Sequence, residues 1–190
     1  MSDASPVKYK LILRLLHWAM ATLIILLVPL GFMLENLAGN PLQGFAYDLH
    51  KSLGISIFIL AVVRIGAKLV VGVPDPEPSL PRLQKTASKL VHGALYGLVF
   101  LVPVFGYLGT SMCCSPIWFF WIWEVPIRIE GGKDLASAMF KIHEIASITL
   151  AGLAGLHITA ALYHVFIRKD GVFARMALYS RQQGGAANKS

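Results

Sequence analysis

The chain has 190 residues, of which 56% are hydrophobic and only 14% charged, with a formal net charge of +7 and a mean hydropathy of +0.64. A soluble domain carries about 25% charged residues, so a self-standing soluble fold is excluded and most of the length belongs in a membrane. The positive charges sit at the ends of apolar runs rather than in one patch, which argues against nucleic acid as a partner.

Four apolar runs are long enough to span a bilayer, which takes about 20 residues of helix. The first covers residues 11–34 and carries Arg14, His17 and Trp18 near its start. It is longer than a signal-peptide core and no small-residue cleavage pattern follows it, so a retained span is expected. The second run, 53–73, contains Arg64 and Lys68. A Pro-Asp-Pro-Glu-Pro stretch at 74–78 then reads as a stiff extended linker. Residues 83–91, basic on one side, are expected to lie on the membrane surface ahead of the third run, 92–112. Cys113 and Cys114 follow. Adjacent cysteines close no structural loop and lack partners for a thiolate metal site, so they read as small apolar residues at a helix end. Residues 117–123 are too short to cross and dense in tryptophan and phenylalanine, an interfacial aromatic belt. The fourth run is 142–167. One membrane domain over residues 1–180 and a polar, Gly-rich, disordered tail at 181–190 are expected.

Orientation follows from lysine and arginine. Thirteen of the seventeen fall on the side holding the N-terminus, the second loop and the C-terminus; Lys51, Arg128, Lys133 and Lys141 fall on the other. Both termini are therefore expected in the cytoplasm, with Trp118, Trp121 and Trp123 at the outer surface.

The histidines carry the functional signal. His143 and His157 are fourteen residues apart, so on one helix they are separated by about 21 Å and point within about 40° of each other. An imidazole inside hydrocarbon is costly without a partner and marks a functional candidate. By depth, His50 and His143 pair on the outer side, and His17 and His157 on the inner side. Two facing imidazoles at each level are what a six-coordinate b-type haem requires. Zinc fits poorly: there is no H-E-x-x-H and four ligands cannot converge. The competing reading of a single intramembrane histidine is a helix-packing hydrogen bond. Gly54, Gly152 and Gly155 lie near these histidines, where missing side chains would let a flat group or a neighbouring helix approach.

Arg64 lies fourteen residues after His50, which puts it on the same face at the inner level. A buried guanidinium needs an anion, and a haem propionate suits its fork; the competing reading is an arginine reaching back to headgroups. Lys51 and Lys141 flank the outer pair and could contact a propionate or attract a small anion, or simply anchor the interface. His92 and His164 remain at the cytoplasmic boundary. A quinone needs hydrogen-bond donors and protons there, which makes these two the candidates.

Several stretches taken together resemble the bacterial cytochrome b561 family of four-span di-haem proteins. They are Arg14-Leu15-Leu16-His17-Trp18; His50-Lys51-Ser52-Leu53-Gly54 with Val62-Val63-Arg64; His92-Gly93 with Tyr96; and His143-Glu144 followed by Gly155-Leu156-His157 and His164. The ordered set covers about residues 8 to 178, and the stand-alone, superoxide oxidase-like type is the most similar. The resemblance implies an all-α, antiparallel four-transmembrane-helix bundle in the bacterial inner membrane. It implies two haem b groups held by His17, His50, His143 and His157. It also implies oxidation of superoxide at the periplasmic face and reduction of ubiquinone in the membrane. The alternative is a cytochrome b subunit anchoring a hydrogenase- or dehydrogenase-type partner, docked through residues 117–134. The outer loop, with its Cys-Cys-Ser-Pro and aromatic run, departs from the family pattern and leaves the electron donor open.

Overall fold

A computed structural model describes residues 7–78, 80–114, 116–125 and 129–179, so the tail expected at 181–190 lies outside the described residues. Four helices dominate: α1 Leu11–Leu34, α2 Gln43–Val71, α3 Arg82–Cys113 and α4 Gly132–Tyr163. Each is long and apolar enough to cross a membrane. Without water in the bilayer core, a spanning segment must satisfy its own backbone, and an unbroken helix does so. Pro29 in α1 and Pro103 in α3 sit inside these helices without ending them.

The structure departs from the sequence expectation at the starts of α2, α3 and α4, the last beginning at Gly132 rather than at 142, and at residues 117–123. α2 begins ten residues before its apolar window. Lys51 and Asp48 neutralise each other at 2.7 Å, one turn apart, and Ser52 Oγ donates back to the Asp48 carbonyl at 2.7 Å, so polar residues extend the helix past the hydrocarbon. Residues 83–91 are not a separate surface segment. They are the first turns of α3, because nothing between Arg82 and Pro103 breaks a helix. Residues 117–123 are more than an aromatic belt: strands β1 Trp118–Phe119 and β2 Trp123–Glu124 pair antiparallel, Phe119 opposite Trp123. The turn of this hairpin places Phe120 and Trp121 at φ 47° and 60°, where Asn and Gly are usual. Two contacts with α2 hold the conformation. Trp121 stacks on Phe45 at 4.8 Å, and the Phe120 N–H donates to the fully buried Ser52 Oγ at 2.8 Å.

Cross-helix contacts make the bundle antiparallel. Gly31 of α1 faces His50 at the start of α2, while Leu13 at the start of α1 meets Arg64 near the end of α2. On α3 and α4, His92 faces His157, Gly106 faces His143 and Gly109 faces Phe140. Each step down one helix is matched by a step up the other. Met20, Ile57, Ala61, Val99 and Leu150, drawn from all four helices, form the buried core. Leu150 lies seven residues from both His143 and His157, so this apolar layer is midway between the two histidine levels.

The described chain ends meet at one end of the bundle. Arg175, only 7% exposed, donates to the carbonyls of Val7 (3.0 Å) and Asp75, and lies 3.9 Å from Glu77. The Tyr9 N–H donates to the Arg175 carbonyl at 3.1 Å. Arg14 and Trp18 donate to the carbonyls of Ala177 and Met176 at 2.7 and 3.0 Å. One buried guanidinium thus ties the N-terminal segment, the proline linker and the C-terminal segment together.

Asp170, beyond the last span, lies in the same C-terminal segment. Its burial raises the carboxyl pKa. The hydrogen bonds from His164 and the Val172 N–H, with the His164 and Arg168 charges, outweigh this and hold it below the ordinary value. A lowered carboxyl stabilises the fold above its unfolded pKa of about 4 and loses that contribution as pH falls through the lower folded value. Amide exchange at Val172 should therefore be protected at neutral pH and speed up relative to mid-helix amides only below about pH 4; a pH-independent ratio would contradict the assignment.

Helix packing gives a second expectation. A Cβ on Gly109 would fall 2.8 Å from the Phe140 ring, whereas one on Gly66 meets nothing within 4 Å. Overpacking costs typically 1–3 kcal/mol. Gly109→Leu should lower the melting temperature in detergent by several degrees and Gly66→Ala should leave it unchanged.

Candidate functional site

The residues of the site come from all four helices. His17 lies two turns into α1, His50 two turns into α2, His92 three turns into α3, and His143 and His157 on α4. The ring centres of His50 and His143 are 6.2 Å apart with their planes at 79°. Those of His17 and His157 are also 6.2 Å apart, at 83°. These are the two pairs expected from depth. Four imidazoles from α1, α2 and α4 thus meet two by two, one level near each end of the bundle.

The spacing bears on chemistry. An imidazole nitrogen sits about 2.0 Å from a bound metal and its ring centre about 1 Å further, so two imidazoles on opposite sides of one metal have centres about 6 Å apart. Both pairs match that figure. No group of three or more His, Cys, Asp or Glu side chains is placed to hold a metal ion among the described residues. Each level thus offers a facing pair of imidazoles, with His92 beside the inner pair, an arrangement that suits a metal whose other positions are filled by a flat prosthetic group.

Hydrogen bonding around the rings agrees. His143 Nδ1–H donates to the Val102 carbonyl at 2.8 Å. That bond fixes the tautomer and leaves Nε2 with its lone pair, the arrangement metal-ligating histidines generally show. His50 Nδ1 is buried with no protein partner, a state that costs about 1–3 kcal/mol unless the ring is otherwise engaged. Glycines make room on the protein side: a Cβ on Gly106 would fall 2.8 Å from His143, and one on Gly31 3.3 Å from His50.

Other expected residues are placed differently. Gly54, Gly152 and Gly155 have no atom within 4 Å of a notional Cβ, so the close approaches between helices are made at Gly106 and Gly109 instead. Arg64 does not reach for headgroups. It is 6% exposed, and its Nε donates to the Tyr96 hydroxyl at 3.0 Å while Nη1 donates to the Leu13 carbonyl. Lys51 is held by Asp48 and by the Pro116 carbonyl at 3.4 Å; Lys141 pairs with Glu144 at 2.8 Å. Neither lysine is a free cation.

His92 does not stay at the boundary. Because α3 starts at Arg82, its ring lies 5.1 Å from that of His157, at the inner level, with Nδ1–H donating to the Ser88 carbonyl at 2.6 Å. His164 Nδ1 lies 2.7 Å from Asp170 Oδ2. Cys113 and Cys114 form a disulfide with each other at the exposed end of α3 rather than packing as buried apolar residues. Sequence reading missed Val102, Gly31, Gly106, Asp170 and Arg175. Only the three-residue spacing of Gly106 and Gly109 hinted at any of them.

The profile of the prokaryotic cytochrome b561 family matches residues 8–177. The chain is 29% identical over 175 residues to cytochrome b561 homolog 2 of Escherichia coli K12, covering 90% of this chain and 92% of that one. It is 31% identical over 166 residues to cytochrome b562 of Cereibacter sphaeroides, covering 85% and 89%. It is also similar to a Yersinia pestis protein named probable superoxide oxidase CybB, 25% identical over 169 residues, covering 89% and 95%. Four spanning helices and a family match over nearly the whole chain lead to one conclusion: the protein belongs to the prokaryotic cytochrome b561 family, and is a multi-pass b-type cytochrome of the bacterial inner membrane that transfers electrons.

Proposed function

We propose that this cytochrome holds two haem b groups, one at each histidine level, and carries electrons from superoxide at the periplasmic face to ubiquinone in the membrane. The equal 6.2 Å separation of the two imidazole pairs is the observation that carries the reading. His50 and His143 would hold the outer group, and His17 and His157 the inner. Haem b held between two imidazoles would supply one-electron transfer. Both termini face the cytoplasm, because thirteen of seventeen basic residues lie on that side.

The remaining work falls to the chain's own residues. The apolar layer of Met20, Ile57, Ala61, Val99 and Leu150 keeps water and ions from passing between the levels. Arg64 uses two of its five N–H donors on Tyr96 and Leu13, and its others suit an inner propionate. The overall exchange is two superoxide anions, each losing one electron and leaving as dioxygen, against one quinone that gains two electrons and two protons. His164 at the cytoplasmic end of α4 donates a hydrogen bond to the quinone carbonyl. His92, the second candidate for the quinone contact, lies beside His157 with ring centres 5.1 Å apart.

Purified protein mixed with superoxide should show haem reduction, and added ubiquinone should reoxidise it with quinol as product. No reduction without a soluble protein partner would favour the anchoring-subunit alternative. His157→Ala should remove one haem of two while the other keeps its spectrum; loss of both with an intact helical fold would contradict the pairing. Replacing Lys51 and Lys141 together by Met leaves Asp48 and Glu144 uncompensated beside the outer level. Superoxide-driven haem reduction should then slow about tenfold at low salt, and less at high ionic strength. An unchanged rate would leave both lysines as anchors.

A further inference from the structure

The C-terminal end of α4 carries an arrangement that electron transfer alone does not use. At His164 the α-helical ladder gives way to a π-helical turn, His164–Arg168, and the His164 carbonyl accepts the N–H groups of Lys169 and, at 3.3 Å, Asp170. Lys169 adopts a left-handed conformation at φ 50° and turns the chain back. Such π-turns are rare and recur at functional sites. The reversal aims the Asp170 carboxylate at the helix it has just left.

The two carboxylate oxygens have different tasks. Oδ1 accepts the Val172 N–H at 3.2 Å, which is enough to hold the turn. Oδ2 lies 2.7 Å from His164 Nδ1 and 3.1 Å from Arg168 Nε. The His164 and Asp170 side chains are only 15% and 13% exposed. A turn cap has no need of the second set of bonds. What they do is fix one ring nitrogen of His164 as a donor to the carboxylate, so that only Nε2 can face a ligand. The Tyr163 ring lies edge-on to His164 with ring centres 5.8 Å apart.

We infer that Asp170, braced by Arg168, is a positioning residue that locks the His164 tautomer and supports the imidazolium, so that His164 Nε2–H can deliver a proton to a quinone carbonyl oxygen. This rests on the reading of His164 as the quinone contact. In the step, the N–H bond at Nε2 breaks and an O–H bond forms on one quinone oxygen, while the other quinone oxygen takes its proton from water. The two electrons come one each from two superoxide anions, and His164 regains its proton from water at that end of the bundle.

The test uses full-length, haem-loaded protein, superoxide and a short-chain ubiquinone, with Asp170→Asn, Asp170→Glu and His164→Gln compared. Asn keeps an oxygen for the Val172 N–H but loses the carboxylate. Asp170→Asn should cut the kcat of quinone reduction at least tenfold, leave superoxide-driven haem reduction unchanged and be partly rescued by Asp170→Glu. Histidine 15N resonances, assigned by their loss in His164→Gln, should show Nδ1 protonated in the parent protein and a shift toward Nε2-only protonation in Asp170→Asn. If His164→Gln slows quinone reduction and Asp170→Asn does not, the positioning role is overturned and the quinone contact stands. If neither slows it, the quinone reading fails and this inference falls with it. An unprotonated Nδ1 in the parent protein would overturn the Asp170–His164 pairing whatever the rates.

Discussion

An imidazole in the interior of a membrane bundle must be engaged, and here the engagement sets the register of the helices. His50 and His143 meet at one level and His17 and His157 at the other, each pair 6.2 Å between ring centres. With two of these histidines on α4, helices α1 and α2 cannot slide along α4 without separating a pair. The same register recurs between α3 and α4, where Gly106 faces His143 and Gly109 faces Phe140. Between the levels lies the apolar layer of Met20, Ile57, Ala61, Val99 and Leu150.

The two ends of the bundle are finished in different ways. One end is covered by an aromatic hairpin whose turn adopts an unfavourable backbone at Phe120 and Trp121, held by Ser52 and Phe45. The other is closed by Arg175, which gathers three segments through backbone carbonyls. A buried guanidinium bonded largely to carbonyls is costly to remove, since those acceptors would lose their donor. The π-turn and Asp170 belong to the same C-terminal segment as this closure, so the end where a quinone would be protonated is also tied across segments by Arg175, Arg14 and Trp18.

Much of the fold was legible in the sequence because the bilayer imposes a length and a composition. The 11–34 run coincides with α1, and the fourteen-residue interval from His143 to His157 survives as two levels. The errors came where the hydrocarbon signal stops. Helix α2 continues past its apolar window because Lys51 and Asp48 cancel each other's charge. Residues 83–91 are polar yet helical, since composition marks the membrane boundary and not the helix end. A Phe-Trp turn carries no hairpin signature. The Lys51–Asp48 and Lys141–Glu144 pairs, three residues apart on one helix, were within reach of the sequence. The partners of Arg64 depend on which helices are neighbours, and spacing along one chain does not encode that. The same limit hid Asp170: its bond to His164 exists only because a π-turn and a left-handed lysine fold the chain back.

The central claim is that two pairs of imidazoles each hold one haem b. Haem content per chain, measured together with the low-temperature EPR of the oxidised protein, tests it most directly. The account predicts two haem b groups per chain, both low-spin with bis-imidazole signals. A single haem per chain, or a high-spin centre with an open axial position, would contradict it.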